Sequence, residues 1–406
     1  MTQRKKMMAF LTVFLGMLAA IAPLSTDMYL PALPFMMEDF SVTPSMIQLT
    51  LTASMAGMAA GQIIAGPASD DMGRRKPLVI GMAVFTLSTI GCIFSSSIYL
   101  FLAFRFVQGF SGGAGIVIAR AIARDVCKGP ALTRFFSMLM LVNGLAPILA
   151  PVIGGQILRF SAWQGVFVLL AFIGAALTAG AFAMGETLPA RRRAAGGVLS
   201  SLKGFGGLFR QSYFMGHCLM QCFAFAAFFA YISGSSFVFQ NVYHVSPQGF
   251  SLIFGTNGIG LMLSGALTGR LAGTVADWKT LRASLWIAVV GSAVLLASFF
   301  VQAPLPVIVV VLFITVSTLS ALGTSSFSLA MQSQGRNAGS ASALIGFFSM
   351  ISGAVMAPVV GIAGSYTAIP IAGSYTAIPM GVVMVVGELG ALLSFYGLIY
   401  PAHKNG

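Results

Sequence analysis

Three ionisable residues lie inside long apolar stretches of this sequence: Asp27, Arg105 and Glu388. A charged side chain at membrane depth is costly, so such residues usually face other helices or a cavity and serve a function. Asp27 is followed closely by Pro31 and Pro34, which loosen the helix that carries it. We therefore expect Asp27 to be the principal functional acid, and Glu388 to be a second buried acid near the end of the chain.

Arg105 begins the segment Arg-Phe-Val-Gln-Gly, which contains Gln108 and Gly109 and runs on into further glycines. An arginine about one third of the way into a span needs a partner or a cavity. The alternative is that its side chain extends to the nearer membrane surface, since the span begins near Tyr99. We favour a functional role, and the glycines would let a neighbouring helix pack closely.

The composition predicts which secondary-structure elements carry these three ionisable residues. The chain has 406 residues, of which 57% are hydrophobic and only 8% are charged. With no alternating strand-length segments, the prediction is an all-α polytopic membrane protein rather than a barrel. Apolar windows of about twenty residues predict twelve spans. They lie near residues 7–31, 45–67, 77–97, 99–121, 134–157, 163–184, 213–239, 249–269, 283–302, 306–331, 338–361 and 380–400.

The longest polar connection divides these spans into six and six. This predicts an N-terminal bundle over residues 1–185, a cytoplasmic linker over 186–212 and a C-terminal bundle over 213–406. Such a split favours two bundles with a substrate path near their midplane. The nonapeptide Ile362–Pro370 is repeated as Ile371–Pro379. We interpret the repeat as a duplicated loop between the last two spans, since two copies are too few for a repeat architecture.

The formal net charge is +13, and its distribution argues against a nucleic-acid partner. With a cytoplasmic N-terminus, 20 of the 22 basic residues lie in cytoplasmic segments, the others being Arg105 and Arg159. This asymmetry follows the positive-inside rule and predicts that both termini are cytoplasmic. The apolar run after Lys6 continues to Leu30, which favours an uncleaved first span over a signal peptide.

Two further motifs have specific spacing. Between the second and third spans, Gly66, Asp70, Gly73, Arg74 and Arg75 form an ordered pattern of glycines, an acid and bases. The glycines would permit a tight turn and close helix approach, and the opposite charges can pair at the end of the bundle.

In the fifth span, the prolines Pro147 and Pro151 are four residues apart, followed by Gly154 and Gly155. Two prolines at this spacing would kink a helix, and the glycines would allow a tight crossing. This segment is a packing seam, or the hinge or seal of a moving interface.

These motifs, in this order, resemble the major facilitator superfamily. The segment Pro-Ile-Leu-Ala-Pro-Val-Ile-Gly-Gly is similar to the antiporter motif of its twelve-helix drug:proton exporters, and Asp-Met-Tyr-Leu-Pro-Ala-Leu-Pro to a signature of the Bcr/CflA (bicyclomycin and chloramphenicol resistance) group. The resemblance implies two pseudo-symmetric six-helix bundles. It also implies proton-coupled efflux of chloramphenicol- or bicyclomycin-like drugs by alternating access across a bacterial inner membrane.

The resemblance also implies roles for residues. Asp27 would bind the proton, Arg105 would be the arginine typical of the fourth helix, and Asp70 with Arg74 would be a cytoplasmic gate pair. Pro151, Gly154 and Gly155 would form the antiporter seam. The sequence departs from the pattern at Asp71, where a base is usual, and at Ala146 and Ala150, which replace glycines. Glu388 could be a second proton or cation site.

The pocket should be apolar and adaptable. Its candidates from helices one, five, seven and eight are Met28, Tyr29, Asn143, Phe228, Tyr231, Phe239 and Asn257. Each is also compatible with simple packing. The expected partners are a small-molecule drug, protons and the bilayer, and the chain is predicted to be a monomer.

Other functions remain open. A sugar, amino-acid or other metabolite exporter, or a symporter, would share these features. A membrane-embedded lipid-modifying enzyme would need paired acids or a histidine cluster, whereas His217, His244 and His403 are scattered. His217, Cys218 and Cys222 could be drawn as a metal cluster, but their spacing is typical of small residues in a helix. We therefore predict a transporter, not an enzyme, with no cofactor or metal.

Overall fold

The computed structural model describes residues 2–126, 130–193, 207–271, 274–332, 334, 338–365 and 377–401. These residues form thirteen α-helices. In chain order, the helices are α1 (Thr2–Asp27), α2 (Leu33–Asp39), α3 (Pro44–Met72), α4 (Arg75–Ile93), α5 (Ile98–Val126), α6 (Pro130–Ile157), α7 (Gln164–Ala183), α8 (Ser212–Phe237), α9 (Pro247–Leu271), α10 (Asp277–Phe300), α11 (Leu305–Gln332), α12 (Ala338–Ser365) and α13 (Ile378–Ser394).

Length and apolar composition make most of these helices able to cross a bilayer. Ten stretches in the described part are long and apolar enough, the first running through α1 and α2 as Phe10–Asp39. Two shorter apolar stretches, Leu145–Ile157 in α6 and Leu344–Val360 in α12, complete the set. The predicted all-α, twelve-helix fold class is confirmed. Most of the duplicated nonapeptide lies outside the described residues.

The first span is interrupted directly after Asp27. Helix α1 ends at that residue, and a short 3₁₀ turn, Leu30–Ala32, leads into α2. The Ala32 amide donates to the Tyr29 carbonyl over 2.8 Å. Because Pro31 and Pro34 lack an amide hydrogen, the α-helical hydrogen-bond ladder cannot run through them. The predicted interruption by prolines is confirmed.

The helices pack into two compact units. Unit 1 contains the described residues of 1–32 and 53–201, and unit 2 contains those of 33–52 and 202–406. Within unit 2, Gln48 Nε2 donates to the Ser233 carbonyl over 3.0 Å, and Thr52 Oγ1 donates to the Ala354 carbonyl over 2.7 Å. These bonds explain why residues 33–52 group with the second half of the chain. The predicted domain bounds remain a prediction.

Small residues fix the crossing of α3 and α5 in unit 1. A Cβ added at Gly57 would overlap the Phe106 carbonyl oxygen, and one added at Gly109 would overlap the carbonyl oxygen of Ser54. Both helices repeat the pattern four residues later, at Gly61 and Gly113. The backbones therefore touch along a reciprocal small-xxx-small seam, which is typical of membrane helices. This contact positions α5, the helix that carries Arg105.

Candidate functional site

Arg105 lies in an aromatic environment inside unit 1. Its side chain is fully buried. The guanidinium carbon is 4.4 Å from the ring centre of Tyr29 and 5.7 Å from that of Phe167. The Phe167 ring is held in turn by Phe101, at 5.4 Å, and by Trp163, at 5.8 Å. A desolvated cation over aromatic faces is an attractive arrangement, so the interior of unit 1, not the membrane surface, holds this charge.

Only some of the N–H groups of the Arg105 guanidinium have a hydrogen-bond acceptor in the described part of the chain. Nη1 donates to Gln108 Oε1, and Gln108 Nε2 donates to Thr89 Oγ1 over 2.7 Å. The Nε and Nη2 groups have no hydrogen-bond partner among the described residues. A buried cation with free N–H groups is a strong attractor for acceptor oxygens or a carboxylate. The alternative in which Arg105 reaches the membrane surface is therefore wrong.

Asp27 is buried at the break between α1 and α2, with 8% of its surface exposed. The Thr26 hydroxyl lies 2.9 Å from Asp27 Oδ1 and 2.9 Å from the Ala22 carbonyl oxygen. None of the ion pairs found in the described part includes Asp27. Tyr29, two residues further on, is the ring over which Arg105 lies. The ring that contacts the arginine therefore lies two residues after the acid in the chain.

The motif between α3 and α4 forms an ionic network around the buried Arg74 side chain in unit 1. Arg74 Nη1 lies 2.6 Å from Asp70 Oδ1 and donates to Ser69 Oγ over 2.7 Å. Arg74 Nε lies 3.0 Å from Asp125 Oδ2, at the end of α5. The predicted contact of Asp70 with Arg74 is confirmed. Asp125 was not among the predicted residues, although its place beside Arg124 at the end of a span could have indicated it.

Glu186 closes this network from the segment after α7. Its carboxylate accepts hydrogen bonds from the amides of Arg74 (2.9 Å), Arg75 (3.2 Å) and Leu188 (3.0 Å). Burial alone would raise the pKa of this carboxyl, but the bonds from backbone N–H groups lower it overall. Gly73 has φ +92°, and a Cβ there would meet the Glu186 carboxylate. Glu186 therefore caps α4, a role that sequence analysis missed.

The proline–glycine segment lies in α6, against the first span. Pro147 and Pro151 are inside α6. A Cβ at Gly154 would overlap the Met28 carbonyl oxygen, so α6 and the end of α1 touch through their backbones. Met28 itself is fully buried there. Gly66 departs from expectation because it lies inside α3, where a Cβ would meet only Val117 Cγ2 at 3.6 Å.

An aromatic column runs along α8 and α9 in unit 2. The Tyr231 ring stacks on Phe254, with ring centres 5.4 Å apart and planes 15° apart. Asn257 Nδ2 donates to Tyr231 Oη over 2.9 Å, and Asn257 Oδ1 has no hydrogen-bond partner in the described part. The Phe228 ring lies 6.1 Å from that of Tyr231. An apolar surface therefore surrounds one buried amide.

Phe239 joins this column at its other end. Its ring centre is 6.3 Å from that of Phe250, which is 5.8 Å from that of Phe254. Four of the seven predicted pocket residues thus lie in one aromatic column, whereas Met28 and Tyr29 lie in unit 1. Asn143 lies in α6, but its side chain is outside the described residues. Phe250 and Phe254 were missed, although their spacing of four on one helix could have indicated them.

Glu388 lies in α13 of unit 2 and is 5% exposed. Its Oε2 has no hydrogen-bond partner among the residues described. The preceding residue, Gly387, packs against the Phe223 carbonyl oxygen of α8. Glu388 is therefore next in the chain to the point where α13 and α8 cross closely. His217, in α8, contacts Ser326 Oγ over 2.9 Å.

The fold and these sites define a polytopic helical membrane protein with charges held inside its bundle. A family model described as Major Facilitator Superfamily matches residues 15–358. The chain belongs to this superfamily of membrane transporters, as the motifs predicted.

Individual proteins support the assignment. The chain is 41% identical over 391 residues to the uncharacterized MFS-type transporter YdgK of Bacillus subtilis, covering 96% of this chain and 95% of the relative. It is 30% identical to a bicyclomycin resistance protein homolog of Haemophilus influenzae, covering 98% of each. The fold is similar to the crystal structure of a D-xylose-proton symporter, with TM-score 0.74, 13% identity and coverage of 96% of this chain and 97% of the other.

Proposed function

We propose that this protein exports drug-like small molecules in exchange for protons across a bacterial inner membrane, as a monomer with both termini in the cytoplasm. The observation that carries the proposal is the buried Asp27 at the break after α1, two residues before the ring that holds Arg105. A relative that aligns over almost the whole chain is named as a bicyclomycin resistance protein homolog, which supports the substrate class.

The proposed chemistry assigns different tasks to the acid and the base. The guanidinium of Arg105 stays charged, because arginine does not lose its proton in proteins. Asp27 can be charged or neutral, depending on how buried it is and how close a cation lies. A movement at the break after α1 changes both factors. If the drug favours the charged acid, proton and drug compete, and linkage makes each one release the other.

The energetics of exchange are adequate. A proton entering with the membrane potential gains about 2.3 kcal/mol per 100 mV. Each factor of ten in the drug gradient costs about 1.4 kcal/mol. One proton per drug therefore supports an export gradient of a few tens-fold at about 100 mV.

We assign drug contacts within unit 2 to the aromatic column and, separately within unit 1, to Met28 and Tyr29 of the first span. Phe228, Tyr231 and Phe239, which are buried or partly buried in this structure, would contact the drug through their rings. The side-chain oxygen of Asn257 would accept one hydrogen bond. Met28 and Tyr29 lie beside the proton site. Such a surface suits flat, partly apolar molecules that carry a hydrogen-bond donor. Glu388, buried in unit 2, is proposed as a second protonation site.

The test is proton release from the detergent-purified protein, measured with a pH indicator in weak buffer as drugs are added. We expect chloramphenicol or a bicyclomycin-type drug to release protons from the wild type and from Asp71→Asn, a control that removes an exposed acid. Asp27→Asn should release none. Release that survives in Asp27→Asn but disappears in Glu388→Gln would overturn the assignment of Asp27. Release triggered only by sugars or amino acids would overturn the drug assignment.

A further inference from the structure

The first turns of α10 carry two cations beside a tryptophan. The Arg282 guanidinium carbon is 5.2 Å from the ring of Trp278, and Lys279 Nζ is 5.7 Å from it. Both cations are exposed, and none of the ion pairs found among described residues includes either one. The neighbouring acid, Asp277, accepts a hydrogen bond from Ser328 Oγ over 2.7 Å. We name Trp278, Lys279 and Arg282 the basic-aromatic cluster.

Two amphipathic rings lie one to two turns along from this cluster. Trp286 Nε1 donates to Tyr396 Oη over 3.2 Å, which ties α10 to the turn after α13. Trp286 is 48% exposed and Tyr396 is 38% exposed. Tryptophan and tyrosine at this kind of position sit at the level of lipid headgroups. The pair therefore marks where the protein surface passes from headgroups to hydrocarbon.

Beyond the rings, the outer surfaces of α10 and α13 are aliphatic. The exposed residues are Ile287, Val290, Val294, Val386, Leu389 and Leu393. Along one side of unit 2, the surface thus changes from cationic to aromatic to aliphatic. A phospholipid presents its phosphate, its glycerol backbone and its acyl chains in the same order.

An apolar crevice adjoins the same cluster. It opens between the ends of α8, α10 and α11 and the turn after α13. Its lining residues are Tyr213, Trp278, Leu329, Phe395, Ile399 and Tyr400. Trp278 therefore borders both the two cations and an apolar crevice.

We propose that the basic-aromatic cluster binds the headgroup of an acidic phospholipid in the adjoining leaflet. Arg282 and Lys279 would hold the phosphate, the Trp286–Tyr396 pair would contact the glycerol region, and the aliphatic surface of α10 and α13 would carry the acyl chains. The positive-inside pattern predicts that this end of α10 faces the cytoplasm. An acidic headgroup is preferred over a zwitterionic one because both cations lack an ion-pair partner among the described residues and attract net negative charge.

The test is native mass spectrometry of the full-length protein in detergent, titrated with phosphatidylglycerol or with phosphatidylcholine of identical acyl chains. We expect tighter binding of phosphatidylglycerol. Each cation near a membrane surface is worth about a fivefold change in affinity. The double variant Lys279→Gln/Arg282→Gln should therefore bind phosphatidylglycerol on the order of thirtyfold more weakly. Trp278→Leu should weaken it as well.

The matched control is Arg270→Gln, which removes an exposed cation at the end of α9 in the same unit. We expect this control to change the affinity less than twofold, with every variant eluting as the wild type does in size-exclusion chromatography. Equal losses in Arg270→Gln and the double variant would show that general surface charge attracts the lipid, and would overturn the site. Equal binding of phosphatidylcholine, or full displacement by glycerol phosphate, would overturn it too.

Discussion

At the scale of single residues, the contacts of Arg105 depend on the shape of its side chain as much as on its charge. Its planar guanidinium lies over Tyr29 and donates to Gln108, whereas a lysine ammonium is a compact point charge without this fork. We predict that Arg105→Lys lowers drug transport by on the order of tenfold, as loss of a desolvated cation–π contact implies. Drug uptake into inverted membrane vesicles, normalised to protein abundance, measures this.

A matched control separates this effect from the loss of any arginine. Arg159 is exposed, and its guanidinium carbon is 6.0 Å from the ring of Phe160. Arg159→Lys should transport as the wild type does, because an exposed pair is worth little. Wild-type transport by Arg105→Lys would show that charge alone is sufficient at that position.

The sequence identified Asp27, Arg105 and the Asp70–Arg74 pair because a charge in an apolar or motif-rich segment stands out locally. It missed Glu186, and it missed Asp125, for which the place beside Arg124 at the end of a span was the only local signal. Each of these acids lies in an ordinary polar segment and accepts a hydrogen bond from Arg74. In the sequence, Arg74 lies 51 residues before Asp125 and 112 before Glu186. Such partnerships are decided by helix packing, which local pattern does not encode.

At the scale of elements, close helix crossings should be the least tolerant of added volume. A Cβ at Gly109 would overlap the Ser54 carbonyl oxygen in α3, which is backbone and cannot move alone. We predict that Gly109→Ala lowers stability by about 1–3 kcal/mol, as overpacking does. The thermal midpoint of the purified protein measures this.

Gly66→Ala is the corresponding control, because its Cβ would meet Val117 only at 3.6 Å. Since alanine is also the better helix former, this variant should melt at or above the wild-type temperature. If Gly109→Ala has the same melting temperature as the wild type, α3 and α5 can move apart without a loss of stability, and the prediction is wrong.

The cap on α4 should make stability depend on pH. Because N–H bonds hold the pKa of Glu186 below its ordinary value of 4.5, despite burial, the charged form stabilises the fold. This stabilisation is complete above the unfolded pKa and is lost as the pH falls through the folded one. We predict that Glu186→Ala lowers the melting temperature near pH 7, with a cost of about 0.5–2 kcal/mol, as lost helix caps do.

The difference between wild type and Glu186→Ala should begin to shrink as the pH falls below the ordinary value of 4.5, and should vanish as the pH falls through the lower pKa that Glu186 has in the fold. Melting curves of both proteins from about pH 7 down to about pH 2 measure this. A difference that stays constant over this range would show that Glu186 acts through packing and not through its charge.

Hydropathy predicted the ends of the helices less well than it predicted their existence. The second span was predicted near 45–67, whereas α3 continues to Met72. Its last turn contains Asp70 and Ser69, which hydropathy excludes but which bond Arg74 at the end of the helix. Polar residues extend a membrane helix where a partner satisfies them, and no window average contains that information.

At the scale of the whole molecule, the packing units do not follow chain order. Gln48 and Thr52 bond carbonyl groups 185 and 302 residues away. The split at the linker was predicted from polarity, which does not report contacts at such sequence distances, and it stays a prediction. The twelve apolar segments, by contrast, were predictable because each one must satisfy its own backbone as a helix.

Orientation in the membrane is a property of the whole charge distribution, and it can be tested directly. The connection between α6 and α7 contains one basic residue, Arg159, whereas the segment after α7 contains Arg191, Arg192 and Arg193. The positive-inside rule therefore places Ser161 outside and Ala190 in the cytoplasm. Both residues are exposed, so a cysteine at either position should be reachable from its own side.

In a background with the four native cysteines replaced by serine or alanine, Ser161→Cys should react with a membrane-impermeant maleimide in intact cells. Ala190→Cys should react only after the membrane is opened, and pre-labelling opened cells gives the maximum for each variant. The opposite labelling pattern would show that the orientation in the membrane is the reverse of the predicted one. It would place 20 of the 22 basic residues outside and move the Lys279 and Arg282 end of α10 to the outer leaflet. Labelling at both positions in intact cells would contradict a single orientation, because consecutive connections of a spanning bundle must face opposite sides.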